Sequence, residues 1–182
     1  QFKDNNEIKK DIDLLMSQID RCSEILKSLT LNPTVEDDFI DRDLSIADYL
    51  NEIIKSFKEI SKKEFILNFD QNSNPLNIVK SMEIVYGLRN FIGNANKFSK
   101  SKVFIILKSD NDTTEIIIED DGEGYSKEVL RNIGEPYIKS YKSSIKSKSG
   151  LGLGIFIGKT LLEKNYANIL CKNSETRSGA EV

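Results

Sequence analysis

Between Glu7 and Leu29 the apolar positions fall at Ile8, Ile12, Leu15, Ile19, Cys22, Leu26 and Leu29, spaced 4, 3, 4, 3, 4 and 3 residues apart. That alternation is an a/d heptad seam along one helix face. Leu14, Met16 and Ile25 broaden the stripe towards that of a bundle helix. Two readings of the seam stand: it packs on the rest of this chain, or it pairs with another helix. Its length and regularity favour pairing. The segment around Asn32-Pro33, followed by Glu36, Asp37, Asp38 and Asp41, reads as a linker with one short strand at Phe39-Ile40. The pattern therefore gives a helix over 1–31, a linker over 32–43 and a second domain over 44–182.

The second domain alternates between helical and strand periods. Ser45-Ile46-Ala47-Asp48 is a capping box that opens a helix through Ile60. Phe65 to Phe69 reads as a strand, and Ser81 to Phe98 as a helix with apolar residues at Ile84, Leu88, Phe91 and Ala95. Lys102 to Asp120 reads as a hairpin turning at Ser109-Asp110-Asn111-Asp112. A short helix over Ser126–Ile133, a Lys/Ser loop over Lys139–Ser149, a helix over Leu153–Lys164 and a strand over Asn168–Lys172 follow. The last residues, Gly179 to Val182, read like an unfinished strand. The expected fold class is α+β, a mixed sheet with helices on one face.

Composition narrows the chemistry. The chain of 182 residues has no histidine, which removes a histidine general base, a Ser-His-Asp triad and histidine metal ligands from within it. Two distant cysteines, Cys22 and Cys171, fit a reducing compartment rather than a disulfide framework. A net charge of -3 argues against a general electrostatic nucleic-acid binder. No apolar run approaches the roughly 20 residues that span a bilayer. The first residue is Gln1 rather than Met, so the sequence reads as a fragment of something longer.

Two glycine clusters carry the strongest chemical signal. Asp120-Asp121-Gly122-Glu123-Gly124 follows a strand, and Gly150-Leu151-Gly152-Leu153-Gly154 precedes a helix. Glycines at a helix start let backbone amides approach a phosphate, and the helix dipole favours the anion. Gly158-Lys159-Thr160 imitates the end of a P-loop, but the glycine required five residues earlier is Leu153. The second cluster is no dinucleotide fingerprint either, because a Lys/Ser loop precedes it instead of a strand. Asp110, Asp112 and Asp121 lack the turn glycine of a calcium loop. Asn90 and Asn94 share a helix face four residues apart, where amides have poor propensity. A carboxamide oxygen suits Mg²⁺ held mainly by nucleotide phosphates, and Lys97 adds a point charge nearby.

In this order the motifs resemble the ATP-binding domain of the GHKL superfamily, as found in sensor histidine kinases. Asn90–Phe98 resembles its N box, Asp120–Gly124 its G1 box, Gly150–Gly154 its G2 box and Glu135-Pro136-Tyr137 its F box. Ser17–Leu26 and Gly154–Glu163 are similar to the RegB/PrrB-type redox-responsive kinases, the former to their second dimerisation helix. The resemblance implies a Bergerat-type α/β sandwich that binds ATP and Mg²⁺. It implies that Asp120 reads the adenine amine, Asn94 holds the metal, and Asn90 and Lys97 line the phosphate side. Gly122 and Gly124 would admit the base. Gly150, Leu151, Gly152, Leu153 and Gly154 would wrap the phosphates, with Tyr137 and Lys139 entering from the F box and lid.

The resemblance further implies a homodimer through the N-terminal helix, a response regulator as partner, no nucleic-acid partner, and a cytoplasmic domain of an inner-membrane sensor. The hydrolysing branch carries a glutamate at the position of Asn90, and an amide cannot activate water, so transfer is favoured over hydrolysis. There are departures: Gly93 weakens the N-box helix by ~1 kcal/mol relative to Ala, Glu123 replaces a small or apolar residue, and the phosphoaccepting histidine is absent. Cys22 is either a small hydrophobe on the seam or a redox thiol able to meet its symmetry mate. Cys171, inside the strand read over Asn168–Lys172, reads as a core residue. Two alternatives share the motifs: a non-catalytic, nucleotide-responsive dimerisation module, and a GHKL serine kinase of the anti-sigma type. The heptad helix with Cys22 argues against the second.

Overall fold

The computed structural model describes residues 45–70, 81–110, 112–136 and 152–182. The chain divides into two compact units, Gln1–Ile40 and Asp41–Val182, and every described residue belongs to the second. The heptad helix, the linker strand, Cys22, Tyr137, Lys139, Gly150 and Leu151 lie outside the described residues.

Helix α1 (Ile46–Lys58) starts at the expected capping box. The Ser45 hydroxyl accepts from the Asp48 amide at 3.3 Å, and the Asp48 carboxylate accepts from the Ser45 amide at 2.9 Å. Its buried face, Tyr49, Leu50, Ile53, Ile54 and Phe57, recurs at helical spacing and forms much of the core. Strand β1 (Glu64–Phe69), helix α2 (Met82–Phe98) and strand β2 (Lys102–Ser109) form a crossover, since β1 and β2 pair in parallel from Glu64↔Lys102 to Phe69↔Leu107. Strand β3 (Thr114–Asp120) returns antiparallel to β2.

A five-residue helix α3 (Lys127–Arg131), helix α4 (Gly154–Lys164) and two short strands, β4 (Lys172–Asn173) and β5 (Ala180–Glu181), complete the described fold. The sheet order is β1-β2-β3-β5-β4. In β2 the residues Val103, Ile105 and Leu107 are fully buried, while Phe104 and Ile106 on the other face are only partly covered. That alternation is what a sheet covered by helices on one face requires.

Two expectations need correction. The strand placed over Asn168–Lys172 begins only at Lys172, and Leu170 is largely exposed. Tyr166, just after α4, adopts φ 64, in the left-handed region. Cys171 therefore precedes β4 and is half-buried rather than a core strand residue. Burial pushes its thiol up to about 11.

Helices α2 and α4 pack directly against each other, with a glycine of each at the contact. A Cβ on Gly87 would stand 2.5 Å from Leu162 Cγ, and one on Gly158 would stand 3.0 Å from Phe91 Cε2 and 3.2 Å from Gly87 O. Glycine on both faces lets the two backbones approach. It also explains the glycine of the false P-loop, which is a packing residue. Farther along α2, Gly93 faces the Phe57 ring, where a Cβ would lie 3.3 Å from Cζ. The helix-weakening glycine thus gives α1 room against α2. The α2–α4 geometry predicts that Gly87→Val destabilises the domain by about 1–3 kcal/mol through overpacking. Urea denaturation measures this, and an unchanged midpoint would mean that the crossing tolerates a larger spacing.

Candidate functional site

The site is built where α2, the start of α4 and the end of β3 converge. On α2, Asn90, Asn94 and Lys97 are all half-buried. The Asn90 amide nitrogen donates to Tyr86 O at 2.9 Å, one turn back. Its oxygen lies 3.7 Å from the position a Cβ on Gly154 would take. The close α2–α4 crossing thus sets Asn90 beside the first residue of α4. The Lys97 ammonium stands 5.6 Å from the centroid of the Phe98 ring.

Helix α4 begins without a side-chain cap, its N-cap position being Leu153. Gly152 leads into it at φ +73, a left-handed conformation suited to glycine. The first amides of an α-helix have no intrahelical partner. Here no side chain takes their place at the N-cap, beside a carboxamide on α2.

Asp120 ends β3 and is only 2% exposed. Among the described residues, both hydrogen bonds it accepts fall on Oδ1, from Gly122 N at 2.7 Å and Ala180 N at 3.4 Å. Burial raises its pKa above the usual carboxylate value, against the pull of the Gly122 and Ala180 amides. Gly122 has no room for a side chain: a Cβ would lie 2.5 Å from Phe98 O and 2.7 Å from Asp120 Oδ1. Gly179 packs more tightly still, its Cβ position being 1.9 Å from Asp120 O.

The neighbouring Asp121 does different work. Its Oδ1 accepts from the amides of Lys100, Ser101 and Lys102 at 2.8, 3.0 and 3.1 Å, and Ser101 Oγ donates to Oδ2 at 2.6 Å. Burial would raise its pKa, but the Ser101 hydroxyl and these amides outweigh it and hold the carboxyl far below the usual range. The clamp joins the end of α2 to the end of β3. Lys63 reinforces the same junction, donating to the carbonyls of Asn96 and Ser99 at the C-terminus of α2. Nothing in the local sequence separates the roles of Asp120 and Asp121. Strand alternation could have done so, because consecutive residues point to opposite faces.

Residues 80–182 match the histidine kinase-, DNA gyrase B- and HSP90-like ATPase family, and the chain belongs to that family. Within it, the chain carries a catalytic domain of the histidine kinase type. It is 33% identical over 176 residues to the sensor histidine kinase RegB of Cereibacter sphaeroides, covering 92% of this chain. It spans 37% of the length of that curated relative. The fold is shared with the mycobacterial sensor histidine kinase MprB, at a TM-score of 0.62 and 19% identity over 76% of this chain and 91% of that one. It is shared too with full-length ShkA in complex with AMPPNP, at a TM-score of 0.62 and 18% identity over 97% of this chain and 36% of that one.

The Asp121 clamp yields a test by pH. Its folded pKa lies below the unfolded value of about 4, so its stabilisation is complete above that value and is lost as pH falls through the acid range. Asp121→Ala is therefore expected to destabilise the protein more at pH 7 than at pH 3. Urea unfolding at both values checks this, and an equal loss at both would remove the clamp as a source of acid sensitivity.

Proposed function

We propose that this chain binds Mg-ATP and delivers the γ-phosphoryl group to a histidine outside it, as the catalytic part of a two-component sensor kinase. The observation that carries the reading is the meeting of Asn90 with the uncapped start of α4, on the same fold that presents the buried Asp120. A carboxylate with one oxygen committed to Gly122 and Ala180 keeps the other for the adenine amine. Guanine presents a carbonyl at that place, which the carboxylate repels. The α4 amides and Lys97 suit a polyphosphate.

The donor set also fits Mg²⁺. Among the described residues no group of three or more His, Cys, Asp or Glu is arranged to hold a metal. Asn94 supplies a neutral oxygen of the kind that completes a magnesium shell built mostly from phosphates. Bound there, Mg²⁺ would neutralise phosphate charge. Asn90 has no proton-accepting group for water, which favours protected transfer over hydrolysis. Residues 1–31 would be the second helix of a dimerisation hairpin, 32–43 a linker and 44–182 the ATP-binding domain. Gly150, Leu151, Tyr137 and Lys139 would complete the phosphate side.

The chain would act as a homodimer with a response regulator as partner, on the cytoplasmic side of a membrane-anchored protein. Among the described residues no helix is long and apolar enough to cross a membrane. Cys22 on the heptad seam would be either a small hydrophobe of that dimer or its redox thiol.

Asp120→Asn keeps the oxygen that bonds Gly122 and Ala180 but replaces the other with an amide donor. It should leave the melting temperature near wild type and weaken Mg-ATP binding about 10- to 100-fold, the value of a charged hydrogen bond. Calorimetric titration measures this, and equal affinity would remove Asp120 from the base site. Addition of a separate histidine-bearing helical segment with ATP should yield phosphohistidine on that segment. Its repeated absence despite ATP binding and confirmed docking would favour a nucleotide-responsive module without turnover.

A further inference from the structure

Asn173 stands on the edge strand β4, outside every motif that carries the resemblance. Its carboxamide grips one residue twice: Oδ1 accepts from Tyr125 N at 2.6 Å, and Nδ2 donates to Tyr125 O at 3.0 Å. The side chain thus pairs with the Tyr125 backbone as a neighbouring peptide would. A two-point bond of this kind fixes both the position and the direction of the chain it holds. Gly124, immediately before, is at φ +73. A Cβ there would stand 2.7 Å from Asn173 Oδ1 and 3.0 Å from Cγ. The last glycine of the β3 loop therefore makes room for the Asn173 amide as well as for the turn.

Asn173 is itself tied to the base-reading carboxylate. It pairs with Ala180 across β4 and β5, and Ala180 N donates to Asp120 Oδ1. Asp120 is thus bonded to one side of Ala180 while Asn173 is registered against the other. The Tyr125 side chain is half-buried. Burial pushes its phenol well above the ordinary value, with Cys171 and Asp120 adding to the rise and a hydrogen bond with the Asn94 side chain on α2 opposing it.

We propose that Asn173 is a positioning residue for the nucleotide site, fixing Gly124–Tyr125 and, through the Tyr125 ring, the setting of the Asn94 carboxamide. This rests on the reading of the site as an Mg-ATP site. Asn173 need not touch the nucleotide. Tyr125 would hold Asn94 in the rotamer that presents its oxygen to the metal, so its effect should appear in the magnesium-dependent part of ATP affinity.

The test is titration of ATP, with and without Mg²⁺, into the whole chain as wild type, Asn173→Ala, Asn173→Asp and Tyr125→Phe, with thermal melting of each. Asn173→Ala should weaken Mg-ATP binding about three- to tenfold, as expected for two neutral hydrogen bonds in an exposed setting. Asn173→Asp keeps the acceptor for Tyr125 N but sets a carboxylate oxygen against Tyr125 O, so it too should weaken binding. Tyr125→Phe should lower the ratio of affinities with and without Mg²⁺. Wild-type affinity in a folded Asn173→Ala would overturn the proposal, as would an affinity loss in Tyr125→Phe that is the same with and without Mg²⁺. If Asn173→Ala does not fold, Asn173→Asp decides: wild-type affinity there counts against the proposal, and a loss of affinity in the folded variant supports it. Failure of the wild type to bind Mg-ATP would instead sink the nucleotide reading on which it rests.

Discussion

The close approach of α2 and α4 is the constraint on which the rest depends. Two helices with ordinary side chains at the contact pack 8–10 Å apart. Glycine at 87 and 158 lets the backbones come nearer, so that a Cβ on Gly158 would already crowd the Gly87 carbonyl. Leu162 then fills the space over Gly87, and Phe91 the space over Gly158. Asn90 is carried to the start of α4 by this packing rather than by any hydrogen bond between the two. Apolar contact does the positioning.

The junction of α2, β2 and β3 shows how two adjacent carboxylates take opposite parts. Asp120 is enclosed, and its charge is costly. Asp121 is surrounded by donors, and its charge is favoured. Strand geometry sends the two side chains in opposite directions, one into the site and the other into the chain reversal after α2. Chemical type alone does not separate them.

Much of this was legible in the sequence where the physics is local. The Ser45 capping box, the apolar face of α1, the hairpin of β2 and β3 and the glycine loops all follow from neighbouring residues and fixed periods. What could not be read was decided by packing across distance. Gly87 looks like a weak helix residue until Leu162 is seen against it. Asn173 lies 48 residues from its partner Tyr125. The last strand starts at Lys172 rather than Asn168, and Tyr166 before it takes a left-handed conformation that its residue type does not announce. Cys171, given to the core on the strength of that strand, moved with it to a half-buried place.

The bond from Ala180 to Asp120 spans 60 residues. It has a consequence for order of assembly. Strand β3 can pair with β2 as a local hairpin, but its terminal carboxylate gains its second amide only when β5 docks alongside. Contacts of such separation form late, because loop closure must be bought before they reward it. On a ribosome, α1 to β3 can gather while the Asp120 carboxylate is still half-bonded. The setting of this buried acid would thus be completed by one of the last strand pairings made, well after the helices around it are in place.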